Sequence, residues 1–596
     1  MIDRTTSRRS LMKGVVGSAA LAVTMAGGGG LAGLTRADAA PAKRRVAVLG
    51  GGIAGLTAAH ELVERGFEVT VYERRAWGGK ARSIETPSVV AGGRKPLPGE
   101  HGFRFFPGFY QAIPDTMRRI PFPGNANGVY DNLVPALTLT AAWDGPDITT
   151  PAALDFDAMG LTLHPERAIR SMLGGLAWVP RMPTERALGL GRRLLVYFTS
   201  CDERRFGQWE YTSFKDFARM DGTDINYELL VSTLTRTLVA AKEHVASART
   251  ICNMAEAFLL NVINRGNDNR YPDMVLNGPT SEVWIEPWVA YLRSRGVRFE
   301  LGAEVRSLTV RDRLIAGAEV ADRTGGTATV EADWFVLAFP PDQVPKYLSP
   351  EILRLDPALE RIRELRVDWM NGIQFFLKTD EPIGPGHIGF IESPWRLTAI
   401  NQNQFWRRKV EASYGDGTVK DVLSLCISDW DAPGVLTRKP ARECNPDEVA
   451  REVWYQVTRS QEGELLFPDR LTDDDLHSWF LDPAIRWDPA AGVNTNADPL
   501  LINTVGSWDN RPTSTTAIPN LFLAGDYVRN NIDLATMEGA CEGGRTAANA
   551  VLDAAGSDAE RAKLVPRSTI GEFDAAREID RQRWLAGLPN LLDTAL

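Results

Sequence analysis

The spacing of apolar positions changes period several times along this chain, and each change predicts an element. Val46–Leu49 is a continuous apolar run between two arginines and a cluster of glycines, the pattern of a short strand buried on both faces. Leu56, Ala59 and Leu62/Val63 then recur at helical spacing, and Glu68–Glu73 (EVTVYE) alternates like a second strand. From Ile113 to about Tyr271 the spacing is mostly helical with Pro and Gly breaks. Ala168–Trp178, Glu185–Phe198 and Tyr227–Ala240 are predicted as amphipathic or buried helices. Arg298–Val310, Leu314–Val320 and Ala328–Pro340 alternate like strands, and Gly372–Leu377 is a further apolar strand. Near the carboxy end, NLFLAGD (Asn520–Asp526) reads as a buried strand and MEGACEGGRTAANAVL, from Met537, as a helix. The tail after Ala555 is charged and helical, a segment for surface packing or self-association, and no internal repeat is present.

The first strand and helix are joined by Gly50, Gly52 and Gly55, a G-x-G-x-x-G turn, with Ala54 in the first helical turn. In a dinucleotide-binding βαβ unit the first glycine permits the tight turn. The second lets the backbone approach a pyrophosphate, and the third lets helix and sheet pack closely. The free N–H groups and positive dipole end of the helix face the phosphates. Glu73 closes the second strand, placed to accept hydrogen bonds from ribose hydroxyls. The unit alone does not choose between FAD and NAD.

The following residues, RRAWGGKAR (Arg74–Arg82), make that choice by resemblance. E-x(4)-GG-[KR]-x-R resembles the extended FAD signature of the flavin amine oxidase and carotene desaturase superfamily. The resemblance implies an α/β fold: a Rossmann-like, glutathione-reductase-like FAD-binding domain with an inserted α+β substrate domain. It implies non-covalent FAD, with Arg74, Gly79, Lys80 and Arg82 near the pyrophosphate and flavin. Gly99–Tyr110 resembles the segment that passes the flavin ring in desaturases, with Gly102, Phe103 and Arg104 as contacts; Glu100 and His101 are acid/base candidates beside a reading of backbone contacts only. Val305 is implied on the adenine side. LNGPTSEVWIEPWVAYL (Leu276–Leu292) resembles a carotene desaturase block through Gly278, Glu282 and Pro287. Val283 stands where phytoene desaturases carry arginine, so a role resting on that arginine does not carry over. At the carboxy end the resemblance places Gly525 and Asp526 on the pyrophosphate and ribityl chain, and Thr536, Met537 and Glu538 at the flavin's N1–C2=O edge. The implied FAD domain is discontinuous (44–112, 291–345 and 501–555), the substrate domain comprises 113–290 and 346–500, and 556–596 is a helical tail.

Composition narrows the picture further. The chain has 596 residues, long enough for two or three domains, and a net charge of −9 with no nucleic-acid footprint. Its five cysteines and six histidines form no ligand spacing, so no metal is expected. Arg8-Arg9, the Gly/Ala-rich stretch to Leu34 and Ala37-Asp38-Ala39 resemble a twin-arginine signal (1–39), which implies export by that route to the periplasm, envelope or exterior, with a retained anchor as the alternative. Aromatics with interleaved amides at 393–406 are either pocket lining or sheet packing.

The expected activity is FAD-dependent oxidation of an apolar, carotenoid- or isoprenoid-like molecule, with hydride passing to flavin N5 and quinone or oxygen as acceptor. Peripheral membrane contact belongs to the same expectation. An exported amine or amino-acid oxidase producing peroxide is the alternative; it calls for an aromatic cage and a lysine near the flavin, for which Lys346 and Lys378 qualify by residue type. A flavin-dependent lipid isomerase or dehydroxylase is the third reading. No catalytic residue is assigned.

Overall fold

The computed structural model describes residues 44–593 apart from 143–147, 152–183, 223, 263–264, 266–270, 272 and 461. The amino-terminal leader and the helix expected at Ala168–Trp178 lie outside the described residues.

A five-stranded parallel sheet carries the amino-terminal motif. β1 (Arg45–Leu49) lies between β2 (Glu68–Glu73) and β4 (Trp334–Leu337); β3 (Arg298–Leu301) flanks β2 and β5 (Leu521–Leu523) flanks β4. Val46 pairs with Val69 on one side and Trp334 on the other, and Val48 with Val71 and Val336. Both faces are covered, which is why β1 is an unbroken apolar run rather than an alternating one. α1 (Ile53–Glu64) connects β1 to β2. Parallel neighbours need long crossovers. Here the crossovers from β2 to β3 and from β4 to β5 have grown into most of the chain.

The first crossover contains α2 (Ala112–Arg118) and α3 (Ala248–Val262), together with the helices Thr184–Phe198 and Ile225–Val239. Its strands Thr138–Ala142 and Ile148–Pro151 join strands of the second crossover in one seven-stranded sheet. Residues 138–142 run parallel to His387–Phe390, whereas the other pairs in that sheet are antiparallel. One place in from its edge, Asn371–Leu377 is buried on both faces. Phe375 packs on Trp454 of the helix Pro446–Thr458, and Phe376 packs toward Trp406 and Tyr414 on the other side. The helix begins at a reciprocal capping box between Asn445 and Glu448. Trp395 and Trp430 are fully buried in the same core, and Asn401 and Asn403 are engaged with Asp421 and the Val410 N–H; the 393–406 segment is therefore sheet packing and turn chemistry.

After β5 the chain forms α4 (Met537–Ala554), which packs on α1. The tail then crosses the inserted helices and ends in α5 (Asp574–Leu585). It is held by buried ion pairs as well as by apolar contacts such as Ile570, which is buried in the main core. Glu256 of α3 is fully buried and faces Arg205, Arg567 and Arg577 at 3.1–3.2 Å, while Asp580 of α5 takes Arg204 and the Cys201 N–H at 2.9 Å. Burial pushes the Glu256 carboxyl up, and the arginines more than offset it, leaving the group below its usual range.

Removing one partner of such a set leaves the others buried without countercharge, at a cost of about 3–5 kcal/mol. Glu256→Gln is expected to lose stability of that order at pH 7 in urea denaturation. Because the folded-state carboxyl is depressed, its contribution is full above the unfolded value near 4.5 and disappears as pH falls through the folded one. The gap between wild type and Glu256→Gln should therefore close in acid.

Candidate functional site

A cavity of about 420 Å³ opens at the carboxy ends of β1, β2, β4 and β5, the usual ligand position for an open parallel sheet. Every residue predicted to contact the cofactor lines it except Gly55 and Glu538.

The two glycine motifs shape its floor. A Cβ on Gly55 would stand 1.9 Å from the Gly50 carbonyl oxygen, so α1 reaches the sheet only through glycine. Gly79, at φ +58°, approaches Gly52 so closely that its Cβ would lie 3.0 Å from the Gly52 Cα. The first turn of α1 carries neither a side-chain cap nor an acid, so the N–H groups beside Ile53 and Ala54 remain open to the cavity. Glu73 is fixed at the rim by N–H donors from Gly51 (2.9 Å) and Arg75 (2.7 Å). Such a floor, with uncapped amides and no side chains in the way, fits a pyrophosphate and its ribose.

The cations of the second motif are partly engaged with protein. Lys80 donates to the Pro499 carbonyl, Arg82 to the Gly79 carbonyl at 2.6 Å, and Arg75 pairs with Asp498. Burial and the neighbouring Arg75 guanidinium lower the Arg82 pKa. Asp526 is buried against the cavity, and burial raises its carboxyl. The loop after it is held by arginines that local sequence did not flag. Arg511 donates to the carbonyls of Asp526, Tyr527 and Val528 at 2.6–3.0 Å and pairs with Asp533, to which Arg249 of α3 also pairs at 2.8 Å.

Within the Thr536–Glu538 motif the three side chains divide. Thr536 caps α4 by accepting from the Gly539 N–H at 2.9 Å, and Met537 faces the cavity, but Glu538 points the other way. Its carboxylate accepts N–H bonds from Gln111, Ala112 and Ile113 at 2.6–2.8 Å and so caps α2. One residue along a helix turns the side chain by about 100°, enough to move it from the cavity to the neighbouring helix. Gly55, likewise, acts through packing rather than through the cavity lining.

The other end of the cavity is aromatic. Phe105 stacks on Phe258 of α3 (centroids 6.0 Å), and Phe109 meets the same ring edge-on at 5.2 Å. Met254, Met370 and Cys426 complete this wall, none of them marked by a motif. Glu100 is a buried latch: it accepts from Ser83 (2.7 Å) and from Thr280 N–H and Oγ1 (3.0 Å each), and it pairs with Arg104 at 3.1 Å. His101 does line the cavity. Lys346 and Lys378 do not; both side chains make exposed contacts, to Gln343 and to the Asp474 carbonyl. Among the described lining residues the one lysine is Lys80.

With this geometry in place, the comparisons with known proteins assign the class. The model for flavin-containing amine oxidoreductases matches residues 53–552, and the chain belongs to that family. It is 25% identical over 545 residues to a probable zeta-carotene desaturase of Synechococcus elongatus, covering 86% of this chain and 99% of the relative. Putrescine oxidase bound to putrescine superposes with a TM-score of 0.54 at 14% identity (86% of this chain, 99% of that one). A putative protoporphyrinogen oxidase of Exiguobacterium superposes with a TM-score of 0.52 at 15% identity (85% and 98%). The protein is an FAD-dependent oxidoreductase of the α/β fold expected from sequence.

If Glu538 acts as a cap, Glu538→Ala should destabilise the apoprotein as much as the holoprotein. The expected drop is about 1–3 kcal/mol, the cost of buried N–H groups left unbonded. Thermal denaturation with and without FAD separates this from a flavin contact, whose loss would appear in the holoprotein alone.

Proposed function

We propose that the enzyme desaturates a long apolar isoprenoid-like molecule. The observation that carries this reading is the aromatic and thioether wall of Phe105, Phe109, Phe258, Met254 and Met370 on the non-nucleotide side of the cavity. An ammonium substrate would call for an available carboxylate at that end. Among the described residues, the carboxylates that reach the cavity are instead Glu73, Glu304, Asp498 and Asp526. Glu73 is bonded to backbone N–H groups, Asp498 to Arg75 and Glu304 to Arg306, while burial pushes Asp526 toward its neutral form. The curated desaturase relative supports the same substrate class. The exposed positions of Lys346 and Lys378 weigh against an amine oxidase that uses either of them.

In this reading the residues divide the work. Gly50, Gly52, Ala54 and Glu73 hold the adenosine diphosphate half; Gly79, Lys80, Arg82, Gly525 and Asp526 surround the pyrophosphate and ribityl chain. Bound there, FAD supplies the hydride acceptor. The phenylalanines orient an apolar chain and exclude water. The free N–H groups at the start of α4, beside Met537, would face the bound ring and favour negative charge there. Quinone or oxygen then serves as the terminal acceptor. Export through a twin-arginine leader, and contact with a membrane that holds the substrate, belong to the same proposal.

Anaerobic flavin bleaching against parallel panels of polyprenoids and amines tests it. Bleaching by a polyprenoid is expected. In Phe258→Ala the half-saturating polyprenoid concentration should rise about tenfold or more, worth ~1.4 kcal/mol, with FAD content unchanged. Bleaching by amines alone overturns the proposal.

A further inference from the structure

Two histidine–aspartate pairs flank the aromatic segment 103–105, and they differ in one respect. His387 packs against the rings of Phe103 and Phe105 (5.2 and 5.3 Å) and turns Nε2 to the buried Asp273 at 2.8 Å; it lies behind the cavity wall. His101 lines the cavity itself, with Nδ1 held by Asp482 at 2.5 Å. The engaged Nδ1 leaves Nε2 as the ring nitrogen available to the cavity.

The placement of His101 is fixed from several directions. Its carbonyl accepts the Gly372 N–H at 2.6 Å, and a Cβ on Gly372 would stand 2.7 Å from that oxygen, so the large sheet reaches this loop only through a glycine. Asp482 is fully buried and takes further donors from Asn371 Nδ2 (2.7 Å) and the Ala484 N–H (3.0 Å). Asn371 is oriented in turn by Asn496 Nδ2 at 2.7 Å. A polar chain Asn496–Asn371–Asp482–His101 thus crosses the apolar interior and ends at the cavity. Buried polar chains of this kind are costly unless every member is satisfied, and they hold their last member in one orientation.

We propose that His101 is the proton acceptor of the oxidation, with Asp482 as the positioning residue that fixes its tautomer and steadies the imidazolium. The proposal rests on the desaturase reading above. Desaturation removes two hydrogens from adjacent carbons. One leaves with its electron pair as hydride to the bound FAD. The other leaves as a proton to His101 Nε2, and the electron pair of that C–H bond becomes the second bond of the alkene. The substrate is oxidised by two electrons, FAD is reduced by two, and the proton passes from the imidazolium to solvent. The remaining ionisable groups around His101 are Asp498, which is paired with Arg75; Cys426, whose thiol burial pushes up to about 11; the latched pair Glu100 and Arg104; and the cations Lys80 and Arg82. Asp482 is held below the usual carboxylate range, because pairing with His101 outweighs burial, and so it remains an anion opposite the imidazole.

The test uses the purified, FAD-loaded protein and a polyprenoid that bleaches the wild-type flavin. The bleaching rate of the wild type should rise with pH as the imidazole loses its proton. His101→Ala should retain FAD, bleach at least about 100-fold more slowly, as expected for loss of a general base, and lose the pH dependence. Added imidazole should restore part of the rate together with its pH dependence. A second readout needs no turnover: in protein labelled with ¹³C-histidine, the resonance missing from His101→Gln should titrate at lower pH in Asp482→Asn, where the stabilising carboxylate is gone. His101→Ala bleaching within a few-fold of wild type with the same pH profile would overturn the proposal, as would a His101 resonance that ignores Asp482→Asn. If no polyprenoid bleaches the wild type, the desaturase reading fails first and takes this assignment with it; that result appears in the wild-type arm alone.

Discussion

The structure depends on backbone lying against backbone where the two ends of the chain meet. A Cβ on Gly544 of α4 would stand 2.4 Å from the Ala54 carbonyl of α1, and one on Gly543 would stand 2.3 Å from the Gly525 carbonyl. With Gly55 against Gly50, these contacts press α1, β1, the β5 turn and α4 into one close-packed block. The uncapped N-terminus of α1 and the start of α4 then open into the same cavity. Any side chain at these points would separate the two helices and pull the site apart, since interiors at crystal-like density have no slack to absorb it.

This block also explains what was legible in the sequence. The G-x-G-x-x-G turn, the acid at Glu73 and the paired glycines at 78–79 are local patterns whose geometry is set within a few residues, so their positions could be read directly. The strand character of 298–310, 314–320, 328–340 and 372–377 was also local, because a strand's period appears within its own length, although 298–310 and 328–340 each divide into two strands of different sheets. The side of a helix on which a residue falls relative to its neighbours is a different matter. Thr536 and Met537 face the cavity and Glu538 caps α2, yet all three belong to one motif. Nothing local marks that division, because α2 is brought to Glu538 only by the completed fold.

The same limit hid the substrate side. The strand at 138–142 finds its partner at 387–390, and Phe105 finds Phe258, across separations for which one sequence carries no local signal. Asp482 and Asn371 carry no local signal and are aligned with His101 only by the sheet. Conversely, the aromatic and amide cluster at 393–406, suggestive as a string, is spent on the core of the large sheet. In this chain the nucleotide half is written locally, whereas the half that meets the substrate is assembled by long-range pairing.

The order of strands in the five-stranded sheet has a consequence in time. β1 and α1 leave the ribosome well before β5 and α4, which complete the same cavity. Until then α1 lacks the helix it packs on, and β4 lacks its outer neighbour. Synthesis must therefore pass α4 before FAD meets a full set of contacts. Flavin capture and the final closure of the sheet thus become one event, and a chain stalled before residue 537 would hold the recognisable glycine motif with no site behind it.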